Sequence, residues 1–185
     1  MNMLQPIPMY DPRATRYATV SDFCQIFTEE MHSLYLLAYM LTADHDRAEQ
    51  CFVRGLDDCK DGMGVFLEWA SSWARRTILK HAVRMTLPAP EHTDQASWDG
   101  LRRETAQGRN DHIGAVLALN TFDRFVFVMS VLERESDEDC TALLKCSRQD
   151  VMIARQRAII CLADADQSRD RADQGMWLTL LPPAE

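Results

Sequence analysis

The amino-acid sequence predicts an all-α protein in which a linker joins two helical domains. Apolar residues recur at three- and four-residue spacing in several segments, as in amphipathic helices, and no segment alternates as a strand does. Pro88 and Pro90 open a mostly polar stretch that separates the helical segments into two groups. The predicted divisions are an N-terminal arm at 1–20, a helical domain at 21–86, a linker at 87–112, a second helical domain at 113–166 and a tail at 167–185.

Composition and charge limit the class of protein. The chain has 185 residues, of which 46% are hydrophobic and 26% charged, as in an ordinary globular protein. No apolar run approaches the roughly 18 residues of a membrane span, and the N-terminus lacks the basic-then-apolar layout of a signal peptide. We therefore expect a cytoplasmic protein. The net charge of −8 disfavours tight, independent binding to nucleic acid.

The first helical domain is predicted to contain three helices. The first begins near Ser21 and runs to about Leu41, the second starts at Asp44, and the third covers about 65–85. Their apolar stripes contain Phe23, Ile26, Phe27, Leu34, Tyr35, Ala38 and Leu41, then Ala48, Cys51, Phe52 and Leu56, then Phe66, Trp69, Ala70, Trp73 and Ile78. Because Trp69 and Trp73 follow the stripe spacing, we expect both indoles in the core.

The second half of the third helix carries the strongest basic patch in the chain. Arg75, Arg76, Lys80 and Arg84 occur there with no acid among them, and the last three are spaced four apart along one helix face. Two interpretations fit this pattern. The patch is either a nucleic-acid contact or a solvated face, since positive charge near a helix C-terminus is favourable in any case.

Residues 122–165 have the pattern of a helix-turn-helix preceded by a scaffolding helix. Ser136 is a plausible N-cap of a short helix that ends near Leu144, residues 145–147 form the turn, and Ser147 caps the next helix. The scaffolding stripe contains Phe122, Phe125, Val126, Met129 and Leu132, and the last helix has an apolar face of Val151, Ala154, Ala158, Cys161 and Leu162. An ordinary helical hairpin is the alternative.

The outer face of that last helix is unusual for a DNA-reading helix. A step of about 100° per residue places Gln149, Met152, Ile153, Gln156 and Ile160 on the outside. Methionine and isoleucine can touch a thymine methyl, but they cannot form bidentate hydrogen bonds with bases. An exposed apolar stripe more often indicates a protein interface. Arg148 and Arg155, near the edge of the face, are within reach of phosphates.

The sequence offers little for catalysis or metal binding. The six cysteines form no CxxC pair, and buried thiols in a reducing compartment explain them, although Cys51 and Cys59 with a histidine leave a zinc site open. The five histidines form no HExxH motif, and no glycine-rich phosphate loop is present. We therefore expect no enzyme activity, no cofactor and no metal.

Three segments in order resemble the small extracytoplasmic-function type of RNA polymerase sigma factor. Residues 36–56 and 65–84 resemble the helical region 2 of that family, and residues 118–162 resemble its region 4 helix-turn-helix. The matching positions are Leu37, Ala38, Leu41, Thr42, Ala48 and Glu49, then Phe66, Trp69, Ala74, Arg75 and Arg84, then Ala118, Leu119, Ser136, Glu138, Leu143, Leu144, Ser147, Val151, Arg157, Ala158 and Leu162.

The resemblance implies a sigma region 2-like three-helix bundle, a region 4-like helix-turn-helix, and a function in transcription initiation with core RNA polymerase and promoter DNA as partners. The downstream promoter element would meet Arg75, Arg76, Lys80 and Arg84. The upstream element would meet Ser147, Arg148, Gln149, Met152, Arg155 and Gln156. The polymerase would meet Glu49, Gln50, Val53 and Arg54.

Two departures from the family pattern support an alternative function. The acidic polymerase-binding surface of the family is reduced here to one acid, Glu49, with a base at Arg54. Lys145 and Cys146 replace the small residue and glycine of the turn. Together with the apolar outer face, these departures are also consistent with a degenerate sigma-like module that binds a protein partner, such as an anti-sigma factor, without contacting DNA.

Overall fold

The computed structural model describes residues 16–61, 64–90 and 112–179, and within these ranges the protein is all-α. Four helices form an N-terminal group: α1 (Val20–Glu29), α2 (Met31–Thr42), α3 (His45–Asp61) and α4 (Ala70–Thr86). Four more form a C-terminal group: α5 (His112–Ala118), α6 (Thr121–Phe127), α7 (Asp137–Leu144) and α8 (Arg148–Thr179). The predicted linker, apart from 87–90 and His112, lies outside the described residues, as do residues 1–15 of the predicted arm.

The first predicted helix is in fact two helices. The chain bends at Glu30, which leaves the helical region with φ −97° and ψ 13° and donates its amide to the carbonyl of Ile26. At this bend the Glu30 carboxylate accepts a hydrogen bond of 2.6 Å from Ser71 of α4 and lies 3.7 Å from Arg75. The bend at Glu30 therefore coincides with a contact between residues far apart in sequence. The spacing of the apolar residues does not predict this bend.

The two tryptophans expected in the core are exposed, so this prediction was wrong. Trp69 is 58% exposed and Trp73 is 40% exposed. The spacing argument assumed a helix from residue 65, but residues 67–69 form a 3-10 turn and α4 begins only at Ala70. The change in helical period rotates Trp69 away from the core, whereas Trp73 lies within α4 but to one side of its buried face, which Ala70, Ala74, Ile78 and Ala82 form as the stripe requires.

The scaffolding segment begins as α6 and widens into a π-helical turn at Val128–Leu132. Phe122, Phe125, Val126 and Met129 are buried as predicted. Leu132, expected in the same stripe, is 43% exposed because the wider turn rotates the last residues outward. The turn ends with the amide of Glu133 bonded to the carbonyl of Val128. The chain then leaves the helix toward α4.

The helices at the C-terminal end extend further than expected. α8 continues past the predicted start of the tail at 167, because residues 166–174 contain neither glycine nor proline, and it extends through Gly175 to Thr179. Among the described residues, no helix is both long and apolar enough to cross a bilayer.

The two groups of helices pack against each other. The buried apolar residues of both groups form one continuous cluster, with α2 against α5 and α6 and with α4 against α7. The buried guanidinium of Arg124 donates to the carbonyl of Leu41, at the end of α2, and to the carbonyls of Leu117 and Leu119 in its own group. The all-α class is thus established, while the division into two sigma-like domains stays a prediction.

Candidate nucleic-acid interface

The helix-turn-helix geometry forms at the predicted residues. The Ser136 hydroxyl accepts a 3.1 Å hydrogen bond from the amide of Asp139 and so caps α7. Ser147 and Asp150 cap α8 reciprocally, since the hydroxyl of Ser147 accepts from the amide of Asp150 and the carboxylate of Asp150 accepts from the amide of Ser147. Lys145 takes the left-handed conformation, with φ 53°, as the C-cap of α7, a position that commonly holds glycine.

The outer face of α8 is exposed as predicted and carries no acid. Gln149, Met152, Ile153 and Gln156 are exposed, and so is Ile160 one turn further along. Asp150, the one acid between 148 and 163, is turned toward the helix N-terminus by its bonds to Ser147. The net charge of the chain is −8, but this face contains no acid and can therefore approach a polyanion. The side chains of the face carry no positive charge of their own.

α4 presents a second exposed face, on which aromatic and basic side chains follow one another. We call Trp69, Trp73, Arg76, Lys80 and Arg84 the aromatic–basic stripe; its members are spaced three or four residues apart, so they lie on one side of the helix. Phe66 packs edge-on against Trp69, with ring centroids 5.4 Å apart, and stacks on Tyr17 at 4.8 Å. The indole of Trp69 is therefore held in place while remaining 58% exposed.

Two arginines of α4 are paired with carboxylates from the residues just before α7 and from its first turn. We call residues 133–139 the acidic segment. Glu133 accepts two hydrogen bonds from Arg75, Nε to Oε2 at 2.5 Å and Nη2 to Oε1 at 2.6 Å. Asp139 accepts from Nη2 of Arg76 at 2.5 Å, and Glu135 lies 3.8 Å from Nη1 of the same residue. The acidic segment thus covers the part of the basic patch nearest the start of α4.

The same segment also engages the arginines of α8. Asp137, the first residue of α7, accepts hydrogen bonds from Arg155 and, at 3.3 Å, from Arg148. Arg155 additionally donates to the hydroxyl of Ser130 at 3.0 Å. Four of the five arginines predicted to contact DNA, namely Arg75, Arg76, Arg148 and Arg155, are therefore bound to acids of one short segment.

The other two predicted basic contacts differ from these four. Lys80 pairs with Asp58 of α3 at 3.2 Å. Arg84 is exposed and forms no ion pair with any residue the structure describes. Arg84 is consequently the predicted DNA contact that can meet a phosphate without first leaving an acid.

The ion pairs shift the proton affinities of the acids and bases that form them. The hydrogen bond to Arg155 lowers the pKa of Asp137, and the hydrogen bonds from Ser136 and Arg76 lower the pKa of Asp139. Burial raises the pKa of Glu135. The bond to Glu133 raises the pKa of Arg75, as the bond to Asp139 raises that of Arg76.

The predicted polymerase contacts lie together on one exposed face of α3. Glu49, Gln50, Val53 and Arg54 are all exposed, and none forms an ion pair with another described residue. Val53 is 50% exposed at the middle of this face. Nothing within the described chain covers these side chains, so the face is accessible to a partner.

The cysteines do not assemble into a metal site in the described part of the chain. Cys51, Cys59 and Cys140 are buried, Cys146 and Cys161 are half-buried, and Cys24 is exposed. Burial raises the pKa of Cys51 and of Cys140 to about 11. No cluster of three or more histidine, cysteine or acidic side chains suited to a metal occurs among the described residues.

Sequence reasoning missed the acidic segment as a partner of the predicted DNA contacts. The run of acids from Glu133 to Asp139 is visible in the sequence, where negative charge suits the N-terminus of a helix without any distant partner. One signal in the sequence does point to the pairing: the run is rich in acids, and the basic patch on α4 contains none. The pairing of this run with Arg75 and Arg76 depends on the packing of α7 against α4, which no local pattern carries.

No family model matches the chain, and neither the curated proteins nor the solved structures include a significant match to it.

Proposed function

We propose that this protein is a sigma-like transcription initiation factor that binds core RNA polymerase and promoter DNA. The observation that carries the proposal is the helix-turn-helix, in which two capped helices meet at a three-residue turn and the outer face of α8 is exposed without an acid. This arrangement is the usual means of placing a helix in a major groove. The chain's net negative charge fits a factor whose DNA affinity comes mainly through the polymerase.

The aromatic–basic stripe supports contact with an opened DNA strand. Exposed indoles provide surfaces on which bases stack, and adjacent cations follow the phosphate backbone. Trp69 and Trp73 precede Arg76, Lys80 and Arg84 on the same side of α4, which is the order such a surface needs. The exposure of the two indoles brings this surface into the proposal, although the sequence pattern had placed them in the core.

The polymerase half of the proposal is tested at Val53. A Val53→Asp substitution places a charge in the middle of the exposed α3 face, and because Val53 is 50% exposed the fold should tolerate it. We expect loss of co-elution with purified bacterial core polymerase in size-exclusion chromatography. Met31→Asp, at a residue 59% exposed on α2, is the matched control and should bind core polymerase like the wild type. Co-elution of Val53→Asp at wild-type strength would contradict the assignment of this face.

The DNA half is tested by in vitro transcription on genomic fragments. Arg84→Ala removes the one predicted arginine contact that is not paired within the described chain, and specific transcripts should fall by about tenfold, which corresponds to one lost charge-assisted contact. Arg47→Ala, at an exposed arginine of α3, changes the net charge equally and should leave transcription unchanged. Absence of any transcript with folded wild-type protein and core polymerase would refute the initiation function.

A second candidate function is favoured by the outer face of α8. Met152 and Ile153 are 57% and 45% exposed, and Ile159 and Ile160 are similarly exposed, so the face is apolar rather than basic. Exposed apolar faces of this kind commonly bind proteins. The protein would then be a sigma-like module that binds a protein such as an anti-sigma factor. Core binding without transcription, combined with capture of an anti-sigma domain that Met152→Gln/Ile153→Gln abolishes, would favour this second function over the first.

A further inference from the structure

The acidic segment contacts predicted DNA-binding arginines from both groups of helices. Arg75 and Arg76 come from α4, and Arg148 and Arg155 come from α8, yet each of them binds a carboxylate between 133 and 139. Arg75 in addition lies 3.7 Å from Glu30 of the N-terminal group. The basic groups expected to meet two separate promoter elements are thus gathered around one stretch of seven residues.

The geometry at Arg75 is the one that a phosphate would use. Two parallel N–H donors of the guanidinium meet the two oxygens of Glu133 at 2.5 and 2.6 Å, a fork-to-fork contact that a carboxylate and a phosphate make alike. While Glu133 is in place, those two donors cannot bind a nucleic-acid phosphate. Asp139 occupies one donor of Arg76, Nη2, through a single hydrogen bond.

The backbone holds the acids in position on both sides. Before them, the π-helical turn ends at Leu132, and Arg134 takes the left-handed conformation with φ 58°. After them, the N-cap at Ser136 fixes the first turn of α7, where Asp137 and Asp139 lie. A left-handed arginine is uncommon and costs conformational energy, which the contacts of the segment must offset.

The exposure of these pairs allows exchange with another anion. The side chains of Arg76 and Asp139 are 43% and 34% exposed, whereas Arg75 is 29% exposed and its partner Glu133 only 8% exposed, so the Arg76 pair is the more accessible of the two. Water and solutes can therefore reach the guanidinium groups, and an ion pair in such a position is worth much less than a buried one. A polyanion with several phosphates can compete for all of them together.

We infer that the acidic segment is an intramolecular substitute for nucleic-acid phosphate, which must be displaced from Arg75 and Arg76 before DNA can bind there. The inference rests on the proposed function, because it assumes that these arginines are DNA contacts. It adds that the free protein inhibits its own DNA binding through Glu133, Glu135 and Asp139. A partner that draws the acidic segment away would release the arginines.

The test compares two variants of equal charge. Glu133→Gln/Asp139→Asn removes the competing charges while keeping similar side-chain size and an acceptor for the Ser136 hydroxyl. Glu29→Gln/Asp61→Asn removes two exposed acids elsewhere and controls for the change in net charge. Binding of a fluorescein-labelled oligo(dT) is measured by anisotropy at low ionic strength, where phosphate contacts are strongest.

We expect the first variant to bind oligo(dT) about tenfold more tightly than the wild type, within the usual range of coupling between linked sites. The control variant should stay within about twofold of the wild type. Equal affinity of the first variant and the wild type would overturn the inference while leaving the proposed function intact. Binding by none of the three proteins, even in the presence of core polymerase, would contradict the proposed function as well.

A second measurement needs no substitution and so does not depend on how a variant folds. Hydrogen exchange of the wild-type amides between 133 and 144 is followed by mass spectrometry with and without oligo(dT). Displacement of the acidic segment should speed exchange in these peptides by severalfold, because the segment loses its contacts with α4 and α8. Slower or unchanged exchange at saturating oligo(dT) would overturn the inference.

Discussion

Two groups of arginines in this protein make similar contacts in different surroundings. In the first, Arg124 and Arg157 lie with Asp123 inside the C-terminal group of helices, where Asp123 and Arg124 are only 4% and 6% exposed. We call these three residues the buried arginine cluster. In the second, Arg75 and Arg76 meet the acidic segment at the surface between α4 and α7.

The difference in exposure separates a structural role from an exchangeable one. A buried guanidinium without its acceptors leaves several polar groups unpaired in the core, so its partners are fixed by the fold. A half-exposed guanidinium can replace a carboxylate with water or with another anion at small cost. Arginines of the first kind hold helices together, and arginines of the second kind are available for binding. The predictions below test this distinction.

The largest effect is expected at Arg124. Its guanidinium donates to the carbonyls of Leu41, Leu117 and Leu119, so Arg124→Met leaves buried acceptors unsatisfied at both ends of the contact between the two groups of helices. Each such group costs about 1–3 kcal/mol, and we expect the free energy of unfolding to fall by about 3 kcal/mol in urea titrations. Arg47→Met on the surface of α3 should change it by less than about 0.5 kcal/mol. A loss at Arg124 as small as that of the control would show that the cluster is not structural.

The next effect is expected at Asp123. Its Oδ1 accepts from Arg157 at 2.5 and 3.2 Å, and the side chains are only 5% and 15% exposed. Asp123→Asn keeps the shape but removes the charge, so the hydrogen bonds from Arg157 to this side chain lose their charge assistance and unfolding should become easier by about 2 kcal/mol. Asp57→Asn, which breaks an exposed pair with Lys60, should cost less than about 0.5 kcal/mol in the same urea titration. Equal losses in the two variants would contradict the role given to burial.

How far the sequence predicts these two groups depends on how local their contacts are. The caps at Ser136 and Ser147, the turn at 145–147 and the buried face of α8 all follow from residues within one or two turns of each other, and the structure confirms them. The pairing of Arg75 with Glu133 joins residues 58 apart in the chain. Periodicity identified the bases and the acids separately but could not pair them.

The tryptophans and Arg124 also show that local sequence patterns do not predict burial that depends on tertiary packing. Spacing placed Trp69 in the core because a 3-10 turn cannot be told from a helical turn by apolar period alone, and it placed Trp73 there because a three-residue step also fits the margin of an apolar face. A charged residue such as Arg124 is ordinarily expected to face water, and no local pattern predicts its burial. The carbonyls that allow it to be buried come from Leu41 at the end of α2 and from Leu117 and Leu119 in its own group.

A smaller effect is expected where Glu133 meets Arg75. The pair is bidentate and Glu133 is only 8% exposed, but water reaches the Arg75 side chain, which is 29% exposed, and Gln keeps one oxygen acceptor. Glu133→Gln should therefore lower the free energy of unfolding by about 1 kcal/mol. The difference should shrink in high salt, which screens a partly exposed pair. Glu138→Gln, at an exposed acid of the same segment, is the control and should have no measurable effect. A loss of the size expected for Arg124 would place this contact with the structural group and weaken the case that the acidic segment can be displaced.

The smallest effect is expected from acid. Because the folded pKa values of Asp137 and Asp139 are lowered, their pairs contribute stability that is present above the ordinary aspartate pKa of about 4 and is lost as pH falls below it. The melting temperature of the wild type should therefore fall more between about pH 5 and pH 3 than that of Asp137→Asn/Asp139→Asn. Asp22, whose pKa hydrogen bonds from Thr19 lower to about 2, contributes separately to the same decline, so Asp22→Asn serves as the comparison variant. If the melting temperature of Asp137→Asn/Asp139→Asn falls with acid as much as that of the wild type, these carboxylates do not hold Arg76 and Arg155 in solution. The distinction between the two groups of arginines would then have to be drawn without the acidic segment.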